Sequence, residues 1–338
     1  MSKLFYSLTV LIGLVINLSA LEWESYKHSY IQSDGRVIDR QNSDITHTEG
    51  IGYAMFFATC YNDEETFNRL EQWLENNMAK NRFGLYPWKW GEKGGEWEVL
   101  DTNNATDGDL WIAYARLKAS KKFKRPDQKI KALEHLQAIE KYLLYTQDGC
   151  LFLLPGVEGF QKGESLQLNP SYYIPFIFQT FSNVSDKKQW SSLIASGKAL
   201  LAQRFSLYQI HPDWITYSKG NFSLDSQKPN FSYDAIRIPL FWSIWYQITK
   251  EEETLQILAG YRSLLQIPYS PIWIDLSKNT MSLYDDGSKT MYRSLSFFSI
   301  ISQSTISQKA KANDEKNITY FSDSIALFST LPIDCYRE

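Results

Sequence analysis

Apolar residues recur at helical spacing in one segment after another, and this periodicity constrains the fold more than any other feature of the sequence. Strand signals are few by comparison, and the clearest is the short apolar run at 151–154 before Pro155. No Ser/Gly-rich linker divides the chain after residue 20, so the sequence predicts an all-α fold in a single domain over residues 21–338. Helices are expected at 52–60, 62–74, 130–145, 190–205, 233–248, 252–265, 294–301 and 320–331.

The first 20 residues have the layout of a secretory signal peptide. Lys3 supplies the positive start, residues 8–18 form a largely apolar run, and Ser19-Ala20 offers small residues for cleavage. A membrane anchor is the alternative, but the run is shorter than the roughly 20 residues that span a bilayer. The sequence therefore predicts a mature protein that is soluble and either secreted or periplasmic.

Charge and cysteine content limit the partners and cofactors of this protein. The 35 basic and 38 acidic residues nearly balance without a basic cluster, which argues against nucleic acid as a partner. The four histidines are scattered, so we expect neither a metal nor another cofactor. Cys60, Cys150 and Cys335 allow one disulfide in an oxidising compartment, and the sequence leaves its pairing open.

The segment 105–115 places two carboxylates, Asp107 and Asp109, on either side of Gly108 at the start of a helical pattern. Acidic residues are favoured at a helix start by capping and by the helix dipole, which is the structural interpretation. Gly108 weakens a helix, however, and Trp111 adds an aromatic surface beside the acids. Carboxylates that bind hydroxyls and flat rings that cover pyranose faces together favour a sugar-binding cleft.

Two further segments carry acidic residues suited to acid–base chemistry. Glu49 precedes Gly50 and an apolar helix, and burial at that edge would favour the protonated form of a carboxylate that donates a proton. A helix-start glutamate stabilised by the dipole is the alternative. Asp234 and Arg237 lie one helical turn apart, and the arginine is expected to lower the aspartate pKa and keep a general base ionised. An ordinary surface ion pair is the alternative there.

Aromatic residues are abundant, with 11 Trp, 21 Tyr and 19 Phe, and several cluster in loops beside glycine or proline. These clusters occupy residues 85–91, 169–173 and 211–214. Core packing accounts for some of the rings, but tryptophans in loops beside polar residues favour a binding surface.

Together these segments resemble glycoside hydrolase family 8, in order and through nearly the whole chain after the signal peptide. The motifs are T-E-G-x-G-Y at Glu49, A-T-D-G-D at Asp107, L-N-P-S-Y-Y at Tyr172, P-D-W at Trp214 and Y-D-A-x-R at Asp234. Within the family, the spacing is most similar to that of the periplasmic endoglucanases that accompany bacterial cellulose synthesis. Arg116 departs from the pattern, since the family usually has an aliphatic residue there.

The resemblance implies an (α/α)6 barrel with an open substrate cleft at one end, and inverting hydrolysis of internal β-1,4 bonds in a cellulose-type glucan. It implies that Glu49 is the general acid and Asp234 the general base. It also implies that Asp107 binds and distorts the sugar at the cleavage point, and that Arg237 orients the base. Contacts to the glucan chain are expected from Trp88, Tyr172, Tyr233 and Tyr320.

Several alternatives stay open at this stage. A hydrolase of the same family that acts on chitosan, xylan or mixed-linkage glucan would carry the same acids. A non-catalytic glucan-binding protein would keep the barrel as a scaffold, although the intact acids speak against it. The expected partners are the polysaccharide and a cellulose synthase export complex, and the expected oligomeric state is a monomer.

Overall fold

The computed structural model describes residues 22–267, 271, 273–282, 294–295 and 319–337. The predicted signal peptide lies outside the described residues, as does the predicted helix at 294–301 beyond its first two residues. Helices predominate among the described residues and the strands are short, so the prediction of a mainly helical chain is confirmed. The arrangement of the helices as a six-hairpin barrel in one domain stays a prediction.

The helices differ widely in length, from four residues to 17. They are α1 (22–30), α2 (Thr48–Cys60), α3 (Glu64–Asn77), α4 (Thr106–Lys122), α5 (Pro126–Tyr142), α6 (Pro175–Ser182), α7 (Lys187–Ala202), α8 (Arg237–Thr249), α9 (Glu252–Leu258), α10 (Arg262–Leu265) and α11 (Tyr320–Thr330). Short 3-10 turns occupy Arg40–Asn42, Pro170–Tyr172, Ala259–Tyr261 and Ile333–Cys335.

Local chemistry explains several helix boundaries. The Asp63 carboxylate accepts the Thr66 N–H at 3.0 Å, which confirms the predicted cap of α3. Helix α8 begins four residues after its predicted start at 233, because residues 232–236 form a turn instead. The predicted helix at 252–265 is interrupted by a 3-10 turn, where a Cβ on Gly260 would lie only 1.9 Å from a backbone oxygen.

Strands are more numerous than predicted, and all of them pair in antiparallel order. They are β1 (Thr46–His47), β2 (Lys89–Lys93), β3 (Glu96–Asp101), β4 (Leu144–Gln147), β5 (Cys150–Leu153), β6 (Gln161–Lys162), β7 (Ser165–Leu168), β8 (Ile215–Ser218), β9 (Asn221–Leu224), β10 (Asn230–Phe231), β11 (Ile274–Asp275) and β12 (Thr280–Met281). They form four sheets in the orders β1-β2-β3, β4-β5, β6-β7-β8-β9 and β10-β11-β12.

Most of these strands were not predicted, because they are too short to show a sustained alternation in the sequence. The predicted strand at 151–154 corresponds to β5. The aromatic cluster at 85–91, interpreted as a loop, enters the β2–β3 hairpin. Gly94 and Gly95 make its turn with φ of 66° and 92°, values that glycine adopts without strain.

Helices α2 and α4 pack against each other at very short range. A Cβ on Gly52 of α2 would lie 2.6 Å from the Trp111 Cβ of α4, so only glycine fits there. The Trp111 ring is fully buried and packs against the rings of Tyr53 and Phe328, with centroids at 5.2 and 4.9 Å. Burial of these aromatic rings stabilises the core and holds α2 and α4 in a fixed arrangement.

Arg116, the residue that departs from the family pattern, is accommodated by acidic partners in the core. Its side chain is fully buried, and its Nε and Nη2 atoms each lie 3.1 Å from an oxygen of Glu71. The same guanidinium donates to Glu75 at 2.6 Å and to the Tyr86 hydroxyl at 2.8 Å. A buried guanidinium is tolerated when carboxylates pair with it, whereas an isolated buried charge is not. Glu71 and Glu75 therefore allow Arg116 to occupy this place in the core.

The three cysteines occupy different environments. The thiols of Cys60, at the end of α2, and Cys335, in the last 3-10 turn, contact each other. Cys150 begins β5 and is exposed. Within the described part of the chain, no helix combines the length and the apolar character that crossing a membrane requires.

Candidate active site

Arg237 joins three of the predicted site carboxylates in one cluster. Its Nη1 atom contacts Glu49 Oε1 and lies 3.3 Å from Asp107 Oδ2, and its Nη2 atom lies 2.5 Å from Asp234 Oδ1. The structure thus brings together residues from three distant segments of the sequence. A planar guanidinium with several fixed donors is suited to hold carboxylates in defined directions.

The four side chains of this cluster lie at or just before the first turns of three helices. Glu49 lies in the first turn of α2 and Asp107 in the first turn of α4. Arg237 is the first residue of α8, and Asp234 lies in the turn that leads into it. Backbone N–H groups at helix starts favour carboxylates, and Gly108 donates its N–H to Asp107 Oδ1 at 2.9 Å.

The four side chains differ in their access to solvent. Arg237 and Asp107 are buried, with 2% and 6% of the side chain exposed. Glu49 keeps 18% and Asp234 keeps 29%. The two residues predicted to exchange protons with substrate and water are therefore the two that solvent can reach.

The two aspartates of the 105–115 segment have separate roles. Asp107 faces Arg237, whereas Asp109 is fully buried on another side of α4. Asp109 Oδ1 lies 2.7 Å from His135 Nε2, and Asp109 Oδ2 accepts the Asn104 side chain at 2.8 Å. Asp109 therefore organises the interior, and Asp107 belongs to the cluster.

Burial raises the pKa of Asp107 to about 7. The negative charge of Glu49 acts in the same direction, and the positive charge of Arg237 opposes it. One guanidinium faces three carboxylates, so the cluster has a deficit of positive charge. Close, interacting carboxyl groups take up protons as one set, and this set retains a proton near neutral pH.

Burial also raises the pKa of Asp234 above its ordinary value, although part of its side chain is exposed. Arg237 lowers this pKa, as the sequence suggested, but the charge of Glu49 acts with burial against it. The expectation that Arg237 would lower the pKa overall was therefore wrong. The physical reason is that burial of the Asp234 carboxyl outweighs the charge of Arg237, and the negative charge of Glu49 adds to the effect of burial.

Two hydroxyl groups that the sequence did not single out hold Arg237 in place. Its Nη1 atom donates to the Tyr53 hydroxyl at 2.9 Å, and its Nη2 atom donates to Ser171 Oγ at 3.0 Å. Ser171 Oγ in turn donates to Asn169 Oδ1 at 2.7 Å. The only signal for these residues was their position inside the T-E-G-x-G-Y and L-N-P-S-Y-Y motifs.

Asp213 is a further residue that sequence reasoning missed, although it lies in the P-D-W motif. Its Oδ1 atom accepts the backbone N–H groups of Ser232 at 2.9 Å and Ala235 at 2.8 Å, and its Oδ2 atom accepts the Ser232 hydroxyl. These bonds fix the turn that carries Asp234. Burial raises the pKa of Asp213 to about 7, and the nearby charge of Asp234 adds to the effect.

Two of the predicted substrate-contact residues lie beside the cluster. The Trp88 backbone accepts the Thr48 N–H at 3.1 Å and donates to the Asn103 oxygen at 2.8 Å, which holds this half-buried residue between the starts of α2 and α4. The Tyr172 ring lies 5.8 Å from the Arg237 guanidinium carbon and is 8% exposed. Burial raises the pKa of Tyr172, so its hydroxyl stays protonated.

The other two predicted contact residues differ from each other in exposure. Tyr233 is 44% exposed, and its ring packs edge-on against Phe321 at 5.5 Å. Tyr320 is only 3% exposed and packs against the start of α2, where a Cβ on Gly50 would lie 3.1 Å from its hydroxyl. Tyr233 can therefore present a ring to a ligand, whereas the Tyr320 ring packs against the first turn of α2, which carries Glu49.

Opposed carboxylates beside aromatic rings define an acid–base site of the kind that glycoside hydrolases use. Among the described residues, no group of three or more His, Cys, Asp or Glu side chains is arranged to hold a metal ion. The family model for glycosyl hydrolases family 8 matches residues 4–333, and the chain belongs to this family. The protein is thus a glycoside hydrolase, and the resemblance seen in the motifs is confirmed.

Several relatives of this chain carry the name endoglucanase. It is 33% identical over 266 residues to an endoglucanase of Cellulomonas uda, which covers 77% of this chain and 72% of the relative. The crystal structure of a family 8 endoglucanase from Klebsiella pneumoniae superposes with a TM-score of 0.80 at 30% identity, covering 91% of this chain and 97% of that one. An endo-β-1,4-glucanase from Acetobacter xylinum gives a TM-score of 0.79 at 28% identity over 93% and 97%.

Proposed function

We propose that this glycoside hydrolase is an endo-β-1,4-glucanase that cleaves internal bonds of a cellulose-type glucan with inversion of configuration. The substrate is supported by relatives at 33% identity and by solved structures at 28–30% identity that carry this activity in their names. The observation that carries the mechanism is the attachment of Glu49 and Asp234 to different Nη atoms of Arg237.

Inversion needs an acid and a base whose carboxyl groups stand roughly 6.5–9.5 Å apart, so that a water molecule fits between the base and the sugar. Glu49 and Asp234 contact different Nη atoms of Arg237, so the two carboxyl groups face one guanidinium from separate positions. Glu49 donates its proton to the glycosidic oxygen as the bond to the anomeric carbon breaks. Asp234 takes a proton from the water that attacks this carbon from the opposite face.

A proton is bound within the carboxyl cluster that contains Glu49. The raised pKa of Asp107 supports a proton held among these groups near pH 7, where it is available for acid catalysis. Asp107, the least exposed of the three carboxylates, does not donate this proton but binds a hydroxyl of the distorted sugar. Arg237 supplies positive charge that keeps Asp234 oriented toward the water.

The substrate lies in a cleft at the end of an (α/α)6 barrel formed by residues 21–338. Trp88, Tyr172 and Tyr233 contact the glucan, as flat rings cover the apolar faces of pyranoses, and Tyr320 acts through the first turn of α2. A cleft that is open at both ends accepts the middle of a polymer, which gives internal cleavage. The enzyme acts as a monomer after its signal peptide, residues 1–20, has been removed.

The protein works outside the cytoplasm, either secreted or in the periplasm, where it trims glucan during cellulose synthesis beside the export complex. The signal-like segment at 1–20 supports this location. The similarity of the motif spacing to periplasmic endoglucanases supports the link to cellulose.

The test compares Glu49→Gln and Asp234→Asn with wild type on carboxymethyl cellulose, with new reducing ends as the readout. Both variants should lose hydrolysis by at least about 100-fold while still binding cello-oligosaccharides. Glu252→Gln, an exposed glutamate of α9, is the matched control and should keep full activity. NMR of the first product anomer should show inversion.

Three results would overturn the proposal. Retention of configuration would contradict the mechanism, and wild-type turnover by Glu49→Gln would contradict the acid. Binding of glucan without any new reducing ends would show a binding protein instead. A panel of chitosan, xylan and mixed-linkage glucan completes the test, because faster cleavage of any of these would replace cellulose as the substrate.

A further inference from the structure

His47 lies next to the carboxylate oxygen of Glu49 that does not face Arg237. Its Nδ1 atom lies 3.8 Å from Glu49 Oε2, while Glu49 Oε1 faces Arg237. Its Nε2 atom lies 3.5 Å from Asp39 Oδ2, and the edge of its ring meets Tyr320 with centroids 5.0 Å apart. Only 12% of the His47 side chain is exposed, so the ring has a fixed place between two carboxylates.

The Nδ1 atom of His47 has two competing uses. It accepts the backbone N–H of Gly50 at 3.2 Å and so caps α2, which requires a lone pair and hence a neutral ring. The same atom points toward Glu49, and it can serve Glu49 only when it carries a proton. One nitrogen cannot do both at once, so protonation of His47 exchanges the helix cap for a contact with Glu49.

The surroundings favour the protonated ring despite its burial. Burial opposes the charged form of His47, but the hydrogen bond with Asp39 and the charges of Glu49, Asp39 and Asp107 outweigh it and raise the pKa of His47. Tyr320, which packs on the ring, is neutral because burial raises its pKa. On the adjacent strand β2, Lys89 directs its Nζ atom over the Trp88 ring, 5.4 Å from its centroid.

Inverting hydrolysis leaves the two carboxyl groups in the wrong states for the next turnover. This step rests on the proposed function. Glu49 has lost a proton to the leaving group, and Asp234 has gained one from water. Asp234 is partly exposed and releases its proton to solvent. Glu49 must be protonated again before the next turnover, while Arg237 still contacts one of its two oxygens.

We propose that His47 returns the proton to Glu49 after each turnover, with Asp39 holding the imidazolium in place. The proton moves from His47 Nδ1 to Glu49 Oε2, directly or through one water molecule. The electron pair of the broken N–H bond stays on Nδ1, which then accepts the Gly50 N–H and restores the cap of α2. The neutral ring next takes up a proton from bulk water, so protons and charge balance over the cycle.

The test uses His47→Asn with two substrates. Asparagine keeps a side-chain oxygen that caps the helix, but it cannot carry the proton. On carboxymethyl cellulose, kcat of His47→Asn should fall about 10-fold at pH 7.5 and at most about 2-fold at pH 5, where bulk protons are plentiful. On a dinitrophenyl cello-oligosaccharide, whose leaving group departs without protonation, kcat should fall at most about 2-fold at either pH.

Other outcomes would overturn the relay. An equal loss on both substrates at every pH would show a structural role only, and unchanged kcat on cellulose at pH 7.5 would show no role. If His47→Asn does not fold, Asp39→Asn takes its place in the test. This variant keeps the imidazole ring of His47 and its cap on α2. Its loss of kcat on carboxymethyl cellulose should likewise grow as the pH rises. Failure of the proposed function is distinguishable, because Glu49→Gln would then keep hydrolysing cellulose whatever His47 does.

Discussion

Gly108 at the start of α4 lies directly against Thr48 at the start of α2. A Cβ on Gly108 would lie 2.1 Å from Thr48 Oγ1 and 2.9 Å from the backbone nitrogen of Glu49. Cβ atoms in proteins essentially never have contacts shorter than 3.0 Å, and both of these distances are shorter. The absent side chain therefore sets the spacing between the helix starts that carry Asp107 and Glu49, which explains a glycine where helix stability disfavours one.

We expect Gly108→Ala to separate these helix starts and to lower both stability and activity. Overpacking of a tight contact costs roughly 1–3 kcal/mol, measured here as the loss of unfolding free energy in denaturant titrations. The kcat on soluble cellulose should fall as well, because Asp107 and Glu49 lose their common alignment on Arg237. The double variant with Thr48→Gly removes the atoms that meet the new methyl group and should recover part of both losses. Wild-type stability of Gly108→Ala would contradict the close approach.

The second prediction concerns the guanidinium that all three carboxylates share. Arg237→Lys keeps one positive charge but replaces the planar fork by a single ammonium, which cannot hold Glu49 and Asp234 in separate directions. We expect kcat on soluble cellulose to fall on the order of 100- to 1,000-fold. Arg125→Lys makes the same change in a partly exposed ion pair with Asp127 and should leave kcat unchanged. Equal kcat for Arg237→Lys and wild type would show that charge alone suffices.

The third prediction concerns the pH dependence of stability through Asp213. Its pKa in the folded state is about 7, against 3.8 for an ordinary aspartate. Between these two values the folded protein binds more protons than the unfolded chain, so stability falls as pH rises from about 4 to 7. Asparagine at 213 preserves an acceptor for both backbone N–H groups and does not titrate. Asp213→Asn should therefore flatten the fall in unfolding free energy, measured by denaturant titration at several pH values. An unchanged slope would show that Asp213 does not retain a proton.

The same substitution tests the order in which the two carboxyl groups lose their protons. The negative charge of Asp234 raises the pKa of Asp213, so Asp234 ionises first, while Asp213 is still neutral. Asp213→Asn exchanges one neutral side chain for another in that pH range, so the acidic limb of the kcat/KM profile on soluble cellulose should stay where it is in the wild type. A shift of this limb to lower pH would show that Asp213 is already ionised when Asp234 titrates.

Much of the site could be predicted because motif residues sit at helix starts. The pattern at 105–115 marked Asp107, and the i, i+3 spacing of Asp234 and Arg237 predicted an ion pair that the structure confirms at 2.5 Å. The same pattern could not separate Asp107 from Asp109, because the direction of each carboxylate depends on residues far away in sequence. Asp109 turns toward His135, and nothing local to the motif indicates this.

The parts that could not be predicted depend on tertiary contacts. The net rise of the Asp234 pKa could not be predicted, because it comes first from the burial of Asp234 and then from the charge of Glu49, which lies far earlier in the sequence. Asp213 shows no helical or strand pattern of its own, and its role appears only once the turn at 232–236 folds onto it. Short strands such as β8 and β9 were missed for a similar reason, since pairing with a distant partner, rather than local alternation, defines them.

The contact between Cys60 and Cys335 leads to the last prediction. Tyr336, next to Cys335, packs on Phe56 one turn before Cys60, with ring centroids 5.5 Å apart, so the C-terminal segment is already docked on α2. The neighbouring thiol and the charges of Lys118 and Lys122 lower the pKa of Cys335, which favours the reactive thiolate.

With oxidised glutathione as the disulfide reagent, the Cys335 thiolate attacks its disulfide and Cys60 then displaces the second glutathione thiol. We therefore expect a Cys60–Cys335 crosslink, seen by mass spectrometry of non-reduced peptides from Cys150→Ser protein. It closes a loop of more than 270 residues between the first and last parts of the fold, so oxidation should raise Tm by several degrees. Cys335→Ser should abolish both the crosslink and the shift. Crosslinks through the exposed Cys150 alone in wild-type protein would show that the docked thiols are not accessible to the reagent.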